Sequence, residues 1–156
     1  MTAHRPAQNS TGLGLSTARS LRDLRVPILA GVAIGVLQAL TPFAFWWLPA
    51  ATVYAMGVAV IAAVYIGFSV ADGRPRVIAV ETAVATLFLV VAAAGVTGTA
   101  WLLVAGLTGH GVKDYWQHRT HFVANTRWWP PFCATVDIVV STILAVALVA
   151  GADLTG

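Results

Sequence analysis

Charged residues are scarce in this sequence. They make up 10% of its 156 residues, and the mean hydropathy is +0.81, whereas soluble domains carry about 25% charged residues. This scarcity excludes a surface built mainly for water and predicts an integral membrane protein whose principal partner is the lipid bilayer. The net charge of +3 is small and its sources are scattered, so we expect no nucleic-acid partner.

Cysteine and lysine are almost absent. Cys133 is the single cysteine, which excludes an internal disulfide and a C-x-x-C redox pair, and its expected role is that of a small apolar filler. Lys113 is the single lysine. Arginine in place of lysine, together with abundant Ala, Val and Gly, is typical of GC-rich bacterial coding and predicts a location in the bacterial inner membrane. Gly-rich phosphate loops and the H-E-x-x-H and G-x-S-x-G motifs are also missing.

The N-terminal segment differs in composition from the rest of the chain. Residues 1–20 mix Ser, Thr, Gly, Asn and Pro without an apolar period, which predicts a disordered cytoplasmic tail ahead of a single transmembrane helical domain over residues 21–156. A cleavable signal peptide is the alternative. Its basic region would be unusually long, and no clean small-x-small site follows the first apolar run, so a retained first span is favoured.

Long uncharged stretches predict an all-α transmembrane bundle. Residues 26–71 carry no charge, which is more than twice the roughly 20 residues that one helix needs to cross a bilayer. Prolines and tryptophans interrupt this stretch near residues 41–49, as expected at a membrane interface. The apolar stretch of residues 77–109 is too long for one helix and breaks near Gly95. The predicted spans number five: 26–42, 50–71, 77–94, 99–121 and 132–150.

The distribution of basic residues supports five spans. With the N-terminus in the cytoplasm and the C-terminus outside, every basic residue falls on the cytoplasmic side, as the positive-inside rule requires. A four-span arrangement that fuses residues 77–109 would place Lys113, Arg119 and Arg127 outside. Five spans are therefore favoured.

Small residues recur on the second span. They stand at intervals of four, at Ala51, Ala55, Ala59, Ala63 and Gly67. Close approach over small residues is the usual way in which membrane helices pack. The stripe is interpreted first as packing within one subunit, and alternatively as the contact of a homo-oligomer or of a partner membrane subunit.

Ionisable residues are predicted to meet at one depth of the membrane. Glu81 and Asp137 lie near the cytoplasmic starts of the third and fifth spans, and the fourth span brings His110 and Asp114 to the same depth. Ionisable groups inside a membrane are costly, face the interior of a bundle and often mark a functional site. These four residues are therefore the candidates for a catalytic role.

Histidines on the fourth span suggest a metal site. Asp114, His118 and His121 lie on one helical face, where neighbours at i, i+3 and i, i+4 can share one ion. A divalent metal is the one cofactor that the sequence suggests. The alternative is that His118 and His121 are solvated or contact lipid headgroups.

Arg127, Trp128 and Trp129 precede the fifth span. The arginine could bind a phosphate, with the tryptophans walling an apolar pocket for a lipid. The alternative, an interfacial anchor with a positive-inside charge, is favoured.

Two classes of function remain open. In the first, the polar residues form a working site in a small membrane enzyme or in a metal- or lipid-handling protein. In the second, the chain is a non-catalytic membrane subunit or small carrier, and its polar residues serve internal hydrogen bonding. The short helices favour the second class, and the density of ionisable groups favours the first.

Overall fold

The chain is all-helical in the computed structural model, which describes residues 11–124 and 126–154, with side chains from residue 24 onward. No strand occurs in that part of the chain, as predicted. Residues 1–10 of the predicted tail lie outside the described residues, and α1 includes its residues 11–20. The helices are α1 (Thr11–Ala39), α2 (Thr41–Ala44), α3 (Ala50–Asp72), α4 (Pro75–Thr97), α5 (Trp101–Thr120) and α6 (Trp129–Val149).

Proline and glycine set the ends of the long helices. Gly73 closes α3 in the left-handed conformation with φ of 78°, which costs glycine little because it has no Cβ. Pro75 opens α4, and Pro130 and Pro131 lie in the first turn of α6. Proline is well tolerated there because the first amide positions of a helix have no acceptor within the helix.

The helices pack in the order α1, α6, α5, α4, α3, and α5 also contacts α3. Gly31 and Gly35 of α1 stand in G-x-x-x-G spacing and lie against α6. A Cβ on Gly31 would stand 2.7 Å from the Phe132 carbonyl oxygen, and one on Gly35 would stand 2.9 Å from the Val139 Cβ. These glycines therefore allow two helices of the same chain to approach closely.

Three helices are long and apolar enough to cross a membrane: Ala50–Asp72, Pro75–Thr97 and Trp129–Val149. A shorter apolar segment, Leu24–Ala39, belongs to α1. Many large apolar side chains point away from the bundle, among them Leu29 at 69% and Val146 at 64% exposure. An apolar exterior of this kind suits lipid better than water.

The small-residue stripe of α3 divides into two parts. Ala51 and Ala55 are buried in the core, whereas Ala63 and Gly67 are exposed. The reason is geometric, because an interval of four residues advances about 40° around a helix at each step. The stripe therefore winds off the packed face. Its predicted role in an oligomer stays a prediction.

Two apolar clusters lie at different levels of the bundle. The larger contains Val58, Leu103, Leu107 and Leu144, and the smaller contains Tyr65, Val77 and Val123. The smaller cluster lies at the end that carries Arg74, Arg76, Arg119 and Arg127, which we call the basic end. The buried ionisable residues occupy the level between the two clusters.

Candidate functional site

The centre of the site is a histidine between two aspartates. His110 on α5 places its Nδ1 atom 2.8 Å from Asp137 Oδ2 on α6, and 3.5 Å from Asp114 Oδ2 one turn along its own helix. His110 is 2% exposed, and both aspartates are 0% exposed. The predicted meeting of α5 and α6 at these residues is present in the structure.

Cys133 completes a group of four potential metal donors. One donor atom each from His110, Asp114, Cys133 and Asp137 can be chosen so that all lie within 4.8 Å of one another. Cys133 stands one turn before Asp137 on α6, which directs both side chains toward α5. Gly111 lies opposite, where a Cβ would stand 3.4 Å from the Asp137 Cβ. We call these residues the four-donor group.

Glu81 is held by two side chains of α5. Its Oε2 atom lies 2.7 Å from the Lys113 Nζ, and its Oε1 atom accepts a 2.7 Å hydrogen bond from the Gln117 Nε2. Glu81 is 1% exposed and Gln117 is 0% exposed. Glu81 thus joins α4 to α5, but it is not one of the four donors.

Aromatic rings surround the charged groups. The Lys113 Nζ lies 3.3 Å from the ring centroid of Tyr65, where the negative face of the ring attracts a cation. Tyr65 and Phe88 each pack edge to face with the His110 ring, at centroid distances of 5.7 and 5.0 Å. The rings shield the polar side chains from the apolar exterior of the bundle.

Acidic groups outnumber basic groups at this level. Three carboxyl groups, those of Glu81, Asp114 and Asp137, share the level with one amine, that of Lys113, and one imidazole, that of His110. Buried charges are expensive unless they are paired or bind a metal. A further cation would restore the balance.

Three of the four carboxylate oxygens of Asp114 and Asp137 lack a well-aligned hydrogen bond in the part of the chain that the structure describes. Among the described residues, neither oxygen of Asp114 has a partner of acceptable geometry, and neither does Asp137 Oδ1. Three donor groups nevertheless lie beside Asp114: the His110 Nδ1 at 3.5 Å, the Tyr65 hydroxyl and the Cys133 thiol. Buried carboxylate oxygens usually have closer, better aligned partners. The Asp114 oxygens are therefore incompletely satisfied and could accept a bound cation.

The loop that follows α5 covers the basic end of the site. Gln117 Oε1 accepts a 3.2 Å hydrogen bond from the Val123 amide, and Asp72 Oδ2 accepts one of 2.7 Å from the Ala124 amide. Arg74 donates to the Phe122 carbonyl oxygen at 2.6 Å and to both carboxylate oxygens of Asp72. The turn between α3 and α4 therefore holds the loop in place.

Asp72 and Arg74 reinforce each other electrostatically. The hydrogen bond from Arg74, with help from the Ala124 amide, lowers the pKa of Asp72 well below its ordinary value. The same hydrogen bond raises the pKa of Arg74. Both groups therefore stay charged at neutral pH, and at that pH they continue to hold the loop after α5.

The other predicted ligands lie nearer the basic end. His118 and His121 are edge to face with ring centroids 6.4 Å apart. The four-donor group contains Asp114 but neither of these histidines. Asp114 is thus brought together with His110 rather than with His118.

The predicted lipid- or phosphate-binding residues lie at the start of α6. Arg127 and Trp128 are exposed. Trp128 stacks on Phe132 with centroids 4.9 Å apart, and Trp129 packs against Phe68. Exposure of this kind fits both an interfacial anchor and a headgroup site, and the role of the three residues stays a prediction.

Several residues of the site were not predicted from the sequence. Cys133 was expected to be a filler, and Lys113, Gln117 and Tyr65 were assigned no role in a site. One signal was available for Cys133, since it precedes Asp137 by four residues and so shares its helical face. No comparable signal places Tyr65, because its contacts depend on how α3 crosses α5.

Comparison with known protein families, characterised proteins and solved structures finds no match for this chain.

Proposed function

We propose that this chain is a five-span bacterial inner-membrane protein that holds one divalent transition metal ion, most suitably Zn²⁺, in the four-donor group. The observation that carries the proposal is Asp114. It is fully buried, neither of its oxygens has a well-aligned hydrogen bond among the described residues, and three further donors lie within 4.8 Å. A bound cation would satisfy those oxygens and offset the excess negative charge.

The fourth and first proposed spans, α5 and α1, are not among the three long apolar helices. The 20 residues of α5 extend about 30 Å, enough to cross a hydrocarbon core. Its polar residues His110, Asp114 and Gln117 are buried within the bundle, as intramembrane polar groups must be. The 29 residues of α1 are also long enough to span, and Leu24–Ala39 supplies its apolar part.

The orientation follows from the basic end. Arg74, Arg76, Arg119 and Arg127 belong to that end, and Arg19, Arg22 and Arg25 lie before or at the start of the apolar part of α1. An excess of arginine and lysine marks the cytoplasmic side. The N-terminus is then in the cytoplasm, the C-terminus is outside, and the metal site lies in the cytoplasmic half of the membrane.

The donor types favour zinc. Zinc accepts thiolate, imidazole and carboxylate ligands together, and it prefers four ligands in a tetrahedron. Donor atoms in such a site are about 3.3–3.8 Å apart, so the widest pair here would close by roughly 1 Å on binding. Small side-chain rotations of Cys133 and Asp114 can supply that movement.

The burial of the four donors favours one kind of metal protein. The four donors are between 0% and 3% exposed. Catalytic zinc keeps a coordination position open for water or substrate, whereas structural zinc is enclosed by four protein ligands. The geometry therefore favours a metal-holding membrane protein, in which the ion fastens α5 to α6, over a hydrolytic enzyme.

A second candidate is a non-catalytic subunit whose polar cluster is structural and binds no metal. The observation in its favour is that two pairs, Lys113 with Glu81 and His110 with Asp137, are already formed. In that case protons rather than a metal would balance the carboxylates.

The metal content of purified protein separates these candidates. The protein is purified in mild detergent, incubated with zinc, dialysed against a weak chelator and measured by elemental analysis. We expect one retained zinc ion per chain in the wild type and strong loss in Asp114→Asn and Cys133→Ser. Ser141→Ala is the matched control, because Ser141 is also buried on α6 but bonds only to the Ile138 carbonyl oxygen. A folded wild type that retains no metal would overturn the proposal and favour the second candidate.

A further inference from the structure

His118 and His121 form a pair at the end of α5. Their rings are nearly perpendicular, at 81°, and their centroids are 6.4 Å apart. Two imidazoles that bind one metal through nitrogens at about 2.0–2.1 Å place their centroids roughly 5–6 Å apart. A small rotation of one ring therefore brings the pair to ligand spacing.

The pair has an atom without a partner. His118 Nδ1 is buried, and it makes no hydrogen bond within the described part of the chain. His121 is exposed, and its amide closes α5 by donating to the Gln117 carbonyl oxygen at 2.8 Å. The His121 imidazole is thus at the surface, and the neighbouring His118 imidazole has a buried nitrogen without a hydrogen-bond partner among the described residues.

The pair is aligned with the four-donor group. His118 follows Asp114 by four residues and Asp114 follows His110 by four, so successive donors lie about 6 Å apart along the helix. Neighbours at this interval share a helical face. From His121 inward, α5 therefore presents metal donors at nearly every turn from the exposed end to the buried site.

We infer that His118 and His121 form a second, weaker binding site for the same metal ion, through which the ion reaches and leaves the four-donor group. This inference rests on the proposed function, because it needs a buried metal to deliver. Two imidazoles without a carboxylate or thiolate hold a divalent ion less tightly than four mixed donors. Weak, exposed binding suits an ion in transit.

A transit site has a kinetic signature. It lowers the barrier in both directions, so its removal slows loading and release by the same factor and leaves the equilibrium affinity of the four-donor group unchanged. A residue of the tight site behaves differently, because its removal weakens that affinity. The ratio of the two rates therefore distinguishes the roles.

The test measures zinc loading into metal-free protein by stopped flow with a zinc-sensitive dye, and zinc release to a strong chelator. The variant is His118→Gln/His121→Asn, in which asparagine suits the left-handed backbone of His121, where φ is 50°. His4→Ala is the matched control, since His4 is the one histidine of the sequence that belongs to neither proposed site.

We expect loading and release each to slow several-fold in the double variant, with an unchanged dissociation constant and with His4→Ala equal to the wild type. Unchanged rates in a folded double variant would overturn the inference while leaving the proposed function intact. Loss of the tightly bound zinc would overturn it too, by making these histidines ligands of the tight site. A wild type that binds no zinc would instead refute the proposed function.

Discussion

The Nδ1 atom of His110 lies 2.8 Å from Oδ2 of Asp137, although 27 residues separate them. This contact joins α5 to α6 at a level where neither side chain reaches solvent. It holds the imidazole between Asp137 and Asp114, whose nearer oxygen lies at the longer distance of 3.5 Å. The same contact thus fixes two helices and prepares the donors of the proposed metal site.

Variants of Lys113 and Glu81 measure how much stability is lost when one member of this buried ion pair is removed. Lys113→Met leaves the Glu81 carboxylate buried without its counter-ion, and loss of one partner of a buried pair costs about 3–5 kcal/mol. We expect a large fall in thermal stability in detergent, followed by circular dichroism. The double variant Lys113→Met/Glu81→Gln should recover much of the loss. Equal losses in the single and double variants would show that the pair does not balance its own charges.

Gly35 tests the packing of α1 on α6. An alanine there would bring its Cβ to 2.9 Å from the Val139 Cβ, and overpacking of this kind costs about 1–3 kcal/mol. Gly67→Ala is the matched control, since nothing lies within 4 Å of its added Cβ. We expect Gly35→Ala to lower the midpoint of thermal unfolding and Gly67→Ala to leave it equal or slightly higher. Equal midpoints for the two variants would contradict the close contact.

The contacts of Asp72 with Arg74 and with the Ala124 amide should stabilise the protein in a pH-dependent way. Because the fold lowers the pKa of Asp72, its stabilising effect is complete above about pH 4, the ordinary range of aspartate. The effect declines as the pH falls toward the lowered pKa. Asp72→Asn should therefore be less stable than the wild type at pH 7, with the difference shrinking below pH ~4. Thermal unfolding across that range measures it, and a difference that persists or grows in acid would be contrary to this linkage.

The five-span orientation can be tested with reporter fusions. A reporter after Gly156 should lie outside the cell, whereas reporters inserted at Gly73 and Asn125 should lie in the cytoplasm, because the arginine-rich connections stay inside. Paired enzymatic reporters, one active only outside and one only inside, provide the control at each position. A cytoplasmic C-terminus would require an even number of spans.

Much of the fold is readable from the sequence because lipid imposes simple rules. Uncharged runs of suitable length, broken at Pro49, Gly73 and Pro130, predict the positions of the long helices. The depth of Glu81, His110 and Asp137 follows from helical rise alone. These features depend on local sequence and therefore need no knowledge of which helices touch.

The composition of the site depends on helix packing, which the sequence does not specify. The 100° spacing places Asp114, His118 and His121 on one face, but it does not say that α6 meets α5 at Asp114. That crossing brings Cys133 into the group and leaves the two histidines outside it. The sequence likewise does not show where the stripe from Ala51 to Gly67 leaves the packed face, because residues at intervals of four drift gradually around the helix.

X-ray absorption at the zinc edge tests the central claim most directly, since it reports the atoms that contact the metal. The zinc-loaded protein should show four ligands, one sulfur at about 2.3 Å and three nitrogen or oxygen atoms at about 2.0–2.2 Å. Cys133→Ser measured with one equivalent of added zinc and no chelator should show no sulfur neighbour, while Ser141→Ala should keep it. A first shell of nitrogen and oxygen alone in the wild type, or one with six ligands, would contradict a site built from His110, Asp114, Cys133 and Asp137.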